Sequence, residues 1–456
     1  MKTSRWLGVL ALAAVIGVAS PAPGASAEPE TGLAGRGCPV LDLGLAWAGD
    51  NRAHLQELVD SYGRCGRGGH PLAVFDWDNT VVKNDVGDAT VYWLLRHDKV
   101  RQPGDWSRTS PFITAAAASA LRAACGSGAP LRTSADTGCA DEILAVYGGR
   151  TSAGAVAFDG YDHRRMEPAY AWAAQLVAGY TEREVRGFAE AARAENLAAP
   201  VDATQVVGTH KVTAWVRYYD QQRDLITVMR RAGFDVWIVS ASPQPVVEVW
   251  AGGVGVDWRQ VVGIRNEIRH GRLGYTLEGC GGARNVITYI DGKRCFINQE
   301  ILGVRGPRAF ERQRDRQVFA AGDSDTDVTF VRDAAALRLV VNRNKTELMC
   351  RAFANADGRW LVNPMFIEPK PARTTPYPAP PPGTSTVTAS PAPSSTTAAP
   401  SCPTRVRGRR WRGVPSCAPA RPRPRPPRRS ACCPTACDRP WRWPPRPGAW
   451  RSSSTW

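Results

Sequence analysis

Short apolar runs along the middle of this chain end abruptly in polar clusters. Leu72-Ala-Val-Phe75 runs into Asp76, Val236-Trp-Ile-Val239 into Ser240, and Val318-Phe-Ala-Ala321 into Gly322-Asp323, with a fourth run from Leu337 to Val341. Uninterrupted rather than alternating apolar residues mark strands buried on both faces, as in parallel sheets. Helical patterns lie between them. Asp220 to Arg231 puts Leu225, Val228 and Met229 on one face and stops at Gly233. Ser242-Pro243 reads as the N-cap and first-turn proline of another helix. The pattern predicts an α/β protein with a Rossmann-like parallel sheet. Ligands of such sheets sit beyond the carboxyl ends of the strands, where all three polar clusters fall.

About 160 residues separate Asp78 from Ser240, far more than a connection needs. They predict an inserted cap, mostly helical given Ala115 to Ala124 and the Ala/Glu/Arg-rich stretch from Thr181 to Ala194. The expected organisation is a core formed by residues 35–84 and 222–368 around a cap at 85–221. Residues 369–456 form a tail rich in Pro, Ser and Thr and then in Arg and Pro. Such a composition buries too little apolar surface to fold and predicts disorder. Its last part, with Arg421-Pro-Arg-Pro-Arg and Cys432-Cys433, reads equally as a frameshift product or as an extension that holds acidic wall polymers.

The polar clusters carry the chemistry. In Asp76-Trp77-Asp78-Asn79-Thr80, two acids one residue apart can divide the work of phosphate-ester hydrolysis. One carboxylate attacks phosphorus; the other protonates the leaving group and then deprotonates water. Ser240 offers a hydroxyl at a strand end to a phosphate oxygen, as does Thr80. Lys293, in Tyr289-Ile-Asp-Gly-Lys293, supplies a positive charge for the transition state. Gly322-Asp-Ser-Asp-Thr-Asp327 gathers carboxylates that suit a hard cation such as Mg²⁺. The EF-hand continuation, with Gly sixth and Glu twelfth, is absent.

These four motifs in this order, from about Leu72 to Val341, resemble those of the haloacid dehalogenase superfamily. The resemblance implies that Asp76 is nucleophile and metal ligand, and that Asp78 is the acid/base and binds the metal through its backbone carbonyl. It further implies that Ser240 and Lys293 hold the phosphate, that Asp323 binds Mg²⁺, and that Asp327 supports the metal or Lys293. An acid at position 78 sets the chain apart from the dehalogenase branch. The insert looks like a C1 cap, which selects small substrates. The stretch FDWDNTVVKNDVGDA is similar to secreted phosphorylcholine phosphatases, and the phosphoserine phosphatase branch shares the motifs. Aromatics of the cap and its flanks (Trp93, Trp106, Tyr161, Tyr170, Trp172, Trp215, Tyr218, Tyr219) are candidates for a quaternary-ammonium site.

Charge and cysteines refine this reading. The net charge of +16 suggests a nucleic-acid binder, but fifteen Arg against one Asp lie beyond residue 370. The preceding chain holds 43 basic and 41 acidic side chains, so the body lacks the basic footprint of a specific nucleic-acid partner. Residues 1–27, with Lys2 and Arg5, an apolar run Leu7–Val18 and Ala25-Ser-Ala27, read as a secretory signal rather than a membrane span. The expectation is a secreted enzyme acting on a small phosphate monoester. The competing class is a non-catalytic wall- or polyanion-binding protein acting through its tail. Cys125 with Cys139, Cys280 with Cys295 and Cys38 with Cys65 are close enough in sequence to pair, leaving Cys350 over.

Overall fold

The computed structural model describes residues 37–64, 69–128, 130–378 and, as backbone, 401–402. All of these fall in one compact unit, Met1–Val414. The signal expected at 1–27, Cys65 and most of the tail lie outside the described residues.

In chain order, α1 (Asn51–Tyr62) precedes β1 (Leu72–Phe75), and β2 (Val82–Lys83) leads into the insert. The insert holds α2 (Val86–Arg96), α3 (Ala115–Cys125), α4 (Thr137–Tyr147), α5 (Pro168–Gln175) and α6 (Glu182–Ala198), then β3 (Thr204–Val207) and β4 (His210–Thr213). It closes with β5 (Arg217–Tyr218), which pairs antiparallel with β2 where the chain left the core. The core resumes with α7 (Asp220–Arg231), β6 (Asp235–Pro243), α8 (Gln244–Ala251) and β7 (Val261–Ile264), followed by the pair β8 (Asn266–Arg269) and β9 (Arg272–Leu277). It ends with α9 (Asp291–Phe296), β10 (Phe319–Gly322), α10 (Val328–Asp333), β11 (Leu337–Asn342), α11 (Thr346–Ala354) and β12 (Trp360–Pro364).

Six strands form one sheet in the order β12-β11-β10-β1-β6-β7, and every adjacent pair is parallel. The central strands are buried as their composition requires: Ala73, Val74, Phe75, Phe319, Ala320, Leu337 and Leu339 have no exposed surface. The expected α/β architecture is the observed one. The helical insert is present too, with α6 capped by Thr181 in a reciprocal box with Glu184, which satisfies amide groups that the helix start leaves orphaned.

Three expectations need correction. Ser242 does not cap a helix: β6 runs on through Pro243, its pairing with β7 shifting register between Val239 and Pro243. The helix starts at Gln244 with no side-chain cap, because the Ser242 hydroxyl is engaged elsewhere. The tail does not begin at 369 as a featureless segment. Tyr377 is buried, packs its ring tilted against Phe353 and donates to Asn344 Oδ1 at 2.7 Å. Tyr377-Pro378 (β13) then pairs with Ser401-Cys402 (β14). Finally, Cys350 is not left over. Cys125–Cys139 and Cys280–Cys295 are disulfides, and Cys38 and Cys350 are disulfide-bonded as well.

Candidate active site

Asp76 follows β1 directly, and its amide donates to the carbonyl of Ala321 on β10 at 3.0 Å, so two central strands fix its backbone. The loop then turns tightly: the Trp77 carbonyl accepts from the amides of Thr80, Val81 and Val82. Asn79 sits at the bend with φ of 60°, a left-handed conformation that Asn tolerates better than most residues. This turn returns Thr80 beneath Asp76. The fully buried Thr80 hydroxyl lies 2.9 Å from Asp76 Oδ2 and 3.1 Å from Asp323 Oδ1.

Lys293 reaches the same point from α9. The chain enters that helix through Ile290, whose φ of 46° is costly for a β-branched residue. Lys293 has no exposed surface, and its Nζ lies 2.6 Å from both Asp76 Oδ1 and Asp327 Oδ1. The other oxygen of Asp327 accepts the amides of Asp323 and Ser324 at 3.0 and 3.1 Å. Asp76, Asp323 and Asp327 thus form a buried three-carboxylate cluster. Its oxygen-only donors suit a hard divalent cation. Asp76 and Asp323 are the better placed ligands, because Asp327 is already saturated by Lys293 and two amides.

Electrostatics follow from burial. Desolvation pushes the Asp76 carboxyl up to about 6, opposed by the Lys293 charge. Burial also raises Asp323 and Asp327. Burial works against the charge of Lys293, but Asp327 and Asp76 outweigh it and hold the ammonium above its ordinary value. Asp78 is raised well above the usual carboxylate range, first by burial and then by the charge of Asp85. Its Oδ1 accepts the Val86 amide at 2.8 Å; Oδ2 accepts Ser242 Oγ at 2.7 Å and Ser240 Oγ at 3.3 Å. Burial favours the protonated form that a general acid needs, while these hydrogen bonds favour the carboxylate.

Asp76 and Asp323 of the cluster, Asp78 and Arg343 all border one pocket at the carboxyl ends of the strands. All seven site residues expected from the sequence are gathered around it, but not all face it. Lys293, Thr80 and Ser240 are completely buried beneath the surface. On β6 it is Ser242, itself buried and donating to Asp78, that lines the pocket, while Ser240 accepts the Ser242 amide at 3.2 Å and the Thr288 hydroxyl on its carbonyl at 2.5 Å.

Several lining residues escaped the sequence reading. Arg343, just after β11, donates from Nη1 to Asp323 Oδ2 at 2.7 Å. Asp85 and Tyr147 face the pocket from the insert. Asp85 also caps α2 through the Asp88 amide, and an Asp before a helical run was the available signal. The aromatic candidates divide: Trp93, Trp106, Trp172, Trp215 and Tyr219 are buried packing, whereas Tyr170 lines the pocket.

Comparison with known proteins agrees with this geometry. The family model for haloacid dehalogenase-like hydrolases matches residues 152–332, a span holding Ser240, Lys293, Asp323 and Asp327 and beginning after Asp76 and Asp78. The chain is 27% identical over 112 residues to phosphorylcholine phosphatase of Pseudomonas aeruginosa, in an alignment taking in 23% of this chain and 32% of that protein. The chain therefore matches about a third of that relative's length. A conserved protein of unknown function from Anaerococcus prevotii superposes with a TM-score of 0.52 at 19% identity, over 70% of this chain and 93% of that one; this establishes a shared fold. A protein of unknown function from Bordetella pertussis reaches a TM-score of 0.40 at 18% identity, over 66% and 100% of the two chains.

Proposed function

We propose that this chain, whose motifs and matched span are those of haloacid dehalogenase-like hydrolases, is a secreted Mg²⁺-dependent phosphomonoesterase. The observation that carries this reading is Asp76, locked between Lys293 and Thr80 at the floor of a pocket that Asp78 also borders.

The chemistry follows from these positions. A carboxylate oxygen of Asp76 attacks phosphorus, forming an aspartyl phosphate as the bond to the substrate oxygen breaks. Asp78 gives its proton to that departing oxygen. The same carboxylate then takes a proton from water, whose oxygen attacks phosphorus, releasing inorganic phosphate and restoring Asp76. Lys293 holds Asp76 in place and offsets the charge that builds up beside it. When bound at Asp76 and Asp323, Mg²⁺ would neutralise phosphoryl oxygens.

The pocket wall favours a substrate with a cationic end. Among the described residues it carries the carboxylates of Asp76, Asp78, Asp85 and Asp323 against the basic side chain of Arg343. A quaternary ammonium would find Asp85 and the rings of Tyr147 and Tyr170 on one side. A substrate with its own carboxylate, such as phosphoserine, would lack a second cation there. Phosphorylcholine-like esters are therefore preferred. Export is supported by the two disulfides and by the bonded Cys38 and Cys350, which an oxidising compartment sustains.

The test is turnover of p-nitrophenyl phosphate with Mg²⁺ and after EDTA, in wild type and Asp76→Asn. Activity that survives EDTA or the substitution would reject the mechanism. Equal kcat/KM for phosphorylcholine, phosphoserine and glycerol phosphate would reject the cationic preference.

A further inference from the structure

Arg343 is only partly used by the protein. Its Nη1 donates to Asp323 Oδ2 at 2.7 Å. Among the described residues no other acceptor engages the guanidinium, although five N–H groups are available on such a fork. The side chain is a quarter exposed and borders the pocket beside Asp76 and Asp78. Lys293, the other cation of the site, is sealed below with both of its carboxylate partners. Among the described residues that line this pocket, the basic side chain an anion meets is therefore Arg343.

We propose that Arg343 is the phosphate-positioning residue of this site. Asp323 fixes one edge of the guanidinium, and the remaining N–H groups receive the phosphoryl oxygens of the substrate. The planar fork matches phosphate geometry, and an arginine already oriented by a carboxylate loses little freedom on binding. The arrangement ties phosphate recognition to Asp323, so the metal ligand and the anion clamp share one carboxylate. A guanidinium is not deprotonated in proteins, so the clamp is cationic by the nature of its side chain. This inference rests on reading the site as a phosphomonoesterase.

The test measures inorganic phosphate binding by calorimetry in the presence of Mg²⁺, for the full chain and for Arg343→Met and Arg343→Lys, with thermal stability recorded in parallel. Loss of a charge-assisted clamp weakens phosphate by roughly ten- to a hundredfold in Arg343→Met. Arg343→Lys, which keeps the charge without the fork, falls between. KM for p-nitrophenyl phosphate rises in the same order. Were Arg343 merely the counter-charge of Asp323, the melting temperature would drop while phosphate affinity stayed within twofold of wild type, and that result overturns the proposal. If Arg343→Met does not fold, wild-type affinity in Arg343→Lys overturns it equally. A wild-type chain that binds phosphate and hydrolyses esters while Arg343→Met does so unchanged rejects this inference alone. A wild-type chain that does neither rejects the phosphomonoesterase reading, and this inference with it.

Discussion

Ser242 Oγ lies 2.7 Å from Asp78 Oδ2, and the Val86 amide occupies the opposite oxygen at 2.8 Å. The acid that must exchange protons with substrate and water is thus oriented from both sides, by the end of β6 and by the start of the first insert helix. Gly87 lies in the same contact: a Cβ there would come within 2.9 Å of Ser242 Oγ and 3.0 Å of Asp85 Oδ1. The absence of a side chain at 87 lets insert and core meet over Asp78.

Asp78→Asn separates the two proton transfers. p-Nitrophenolate leaves without protonation, so the variant should still release about one equivalent in a rapid burst while the aspartyl phosphate accumulates. Steady-state turnover, which needs Asp78 to deprotonate water, should fall by roughly a hundred- to ten-thousandfold. Quench-flow measurement checks this. A burst lost in proportion to the steady-state rate would remove Asp78 from the second step.

Lys293→Met should be destabilising beyond its effect on rate. The substitution leaves Asp76 and Asp327 buried without their shared cation, and breaking a buried pair from one side costs about 3–5 kcal/mol. Urea denaturation gives the value. Adding Asp327→Asn to Lys293→Met should recover part of the loss, because one stranded charge is then removed. Strictly additive costs would show that the pair is not coupled.

The strands and their polar ends were legible because parallel strands buried on both faces leave uninterrupted apolar runs, and Asp76, Lys293 and Asp323 follow such runs or sit in recognisable spacings. Ser242 was misread because a Ser-Pro pair is an ordinary helix start. Only the register shift in β6 shows that its hydroxyl turns toward Asp78. Arg343 was invisible among 58 basic residues, since its meaning comes from the parallel pairing of β10 with β11, which sets it beside Asp323. That Asp85 and Tyr170 face the pocket depends on how the insert folds back over the core, information that local pattern does not carry. Most of the cap aromatics were legible only as apolar mass, and as core is where the structure puts them.

Asp88 supplies a pH dependence that belongs to stability. Burial, and then the charge of Asp85, lifts its carboxyl from 3.8 to about 7, against the hydroxyl of Tyr147 and the charge of Arg343. The folded state therefore holds this proton more tightly than the unfolded chain does. Stability linked to it is complete below about pH 4 and is lost as pH rises through about 7. A displacement of that size corresponds to about 4 kcal/mol at most. Asp88→Asn keeps an acceptor for the Tyr147 hydroxyl, 2.7 Å away, and removes the titration. The stability of wild type relative to Asp88→Asn should fall between pH 4 and 7.5 and then level off; parallel curves would reject the assignment.

Mg²⁺ should stabilise the fold as well as activate it, because the site exists only in the native chain. At a hundredfold excess over its dissociation constant the gain is about 2.7 kcal/mol, read as a rise in Tm that EDTA reverses. Asp323 and Asp327 should respond differently. Asp323 has one oxygen on the Thr80 hydroxyl and the other on Arg343, contacts that can rearrange around a cation at the pocket wall. Asp327 has no exposed surface and is committed to Lys293 and two amides. Asp323→Asn should abolish the Mg²⁺-dependent rise with little change in the metal-free Tm. Asp327→Asn should lower the metal-free Tm and retain most of the rise. If both substitutions abolish it equally, Asp327 is a direct ligand and Lys293 must release it when the cation binds.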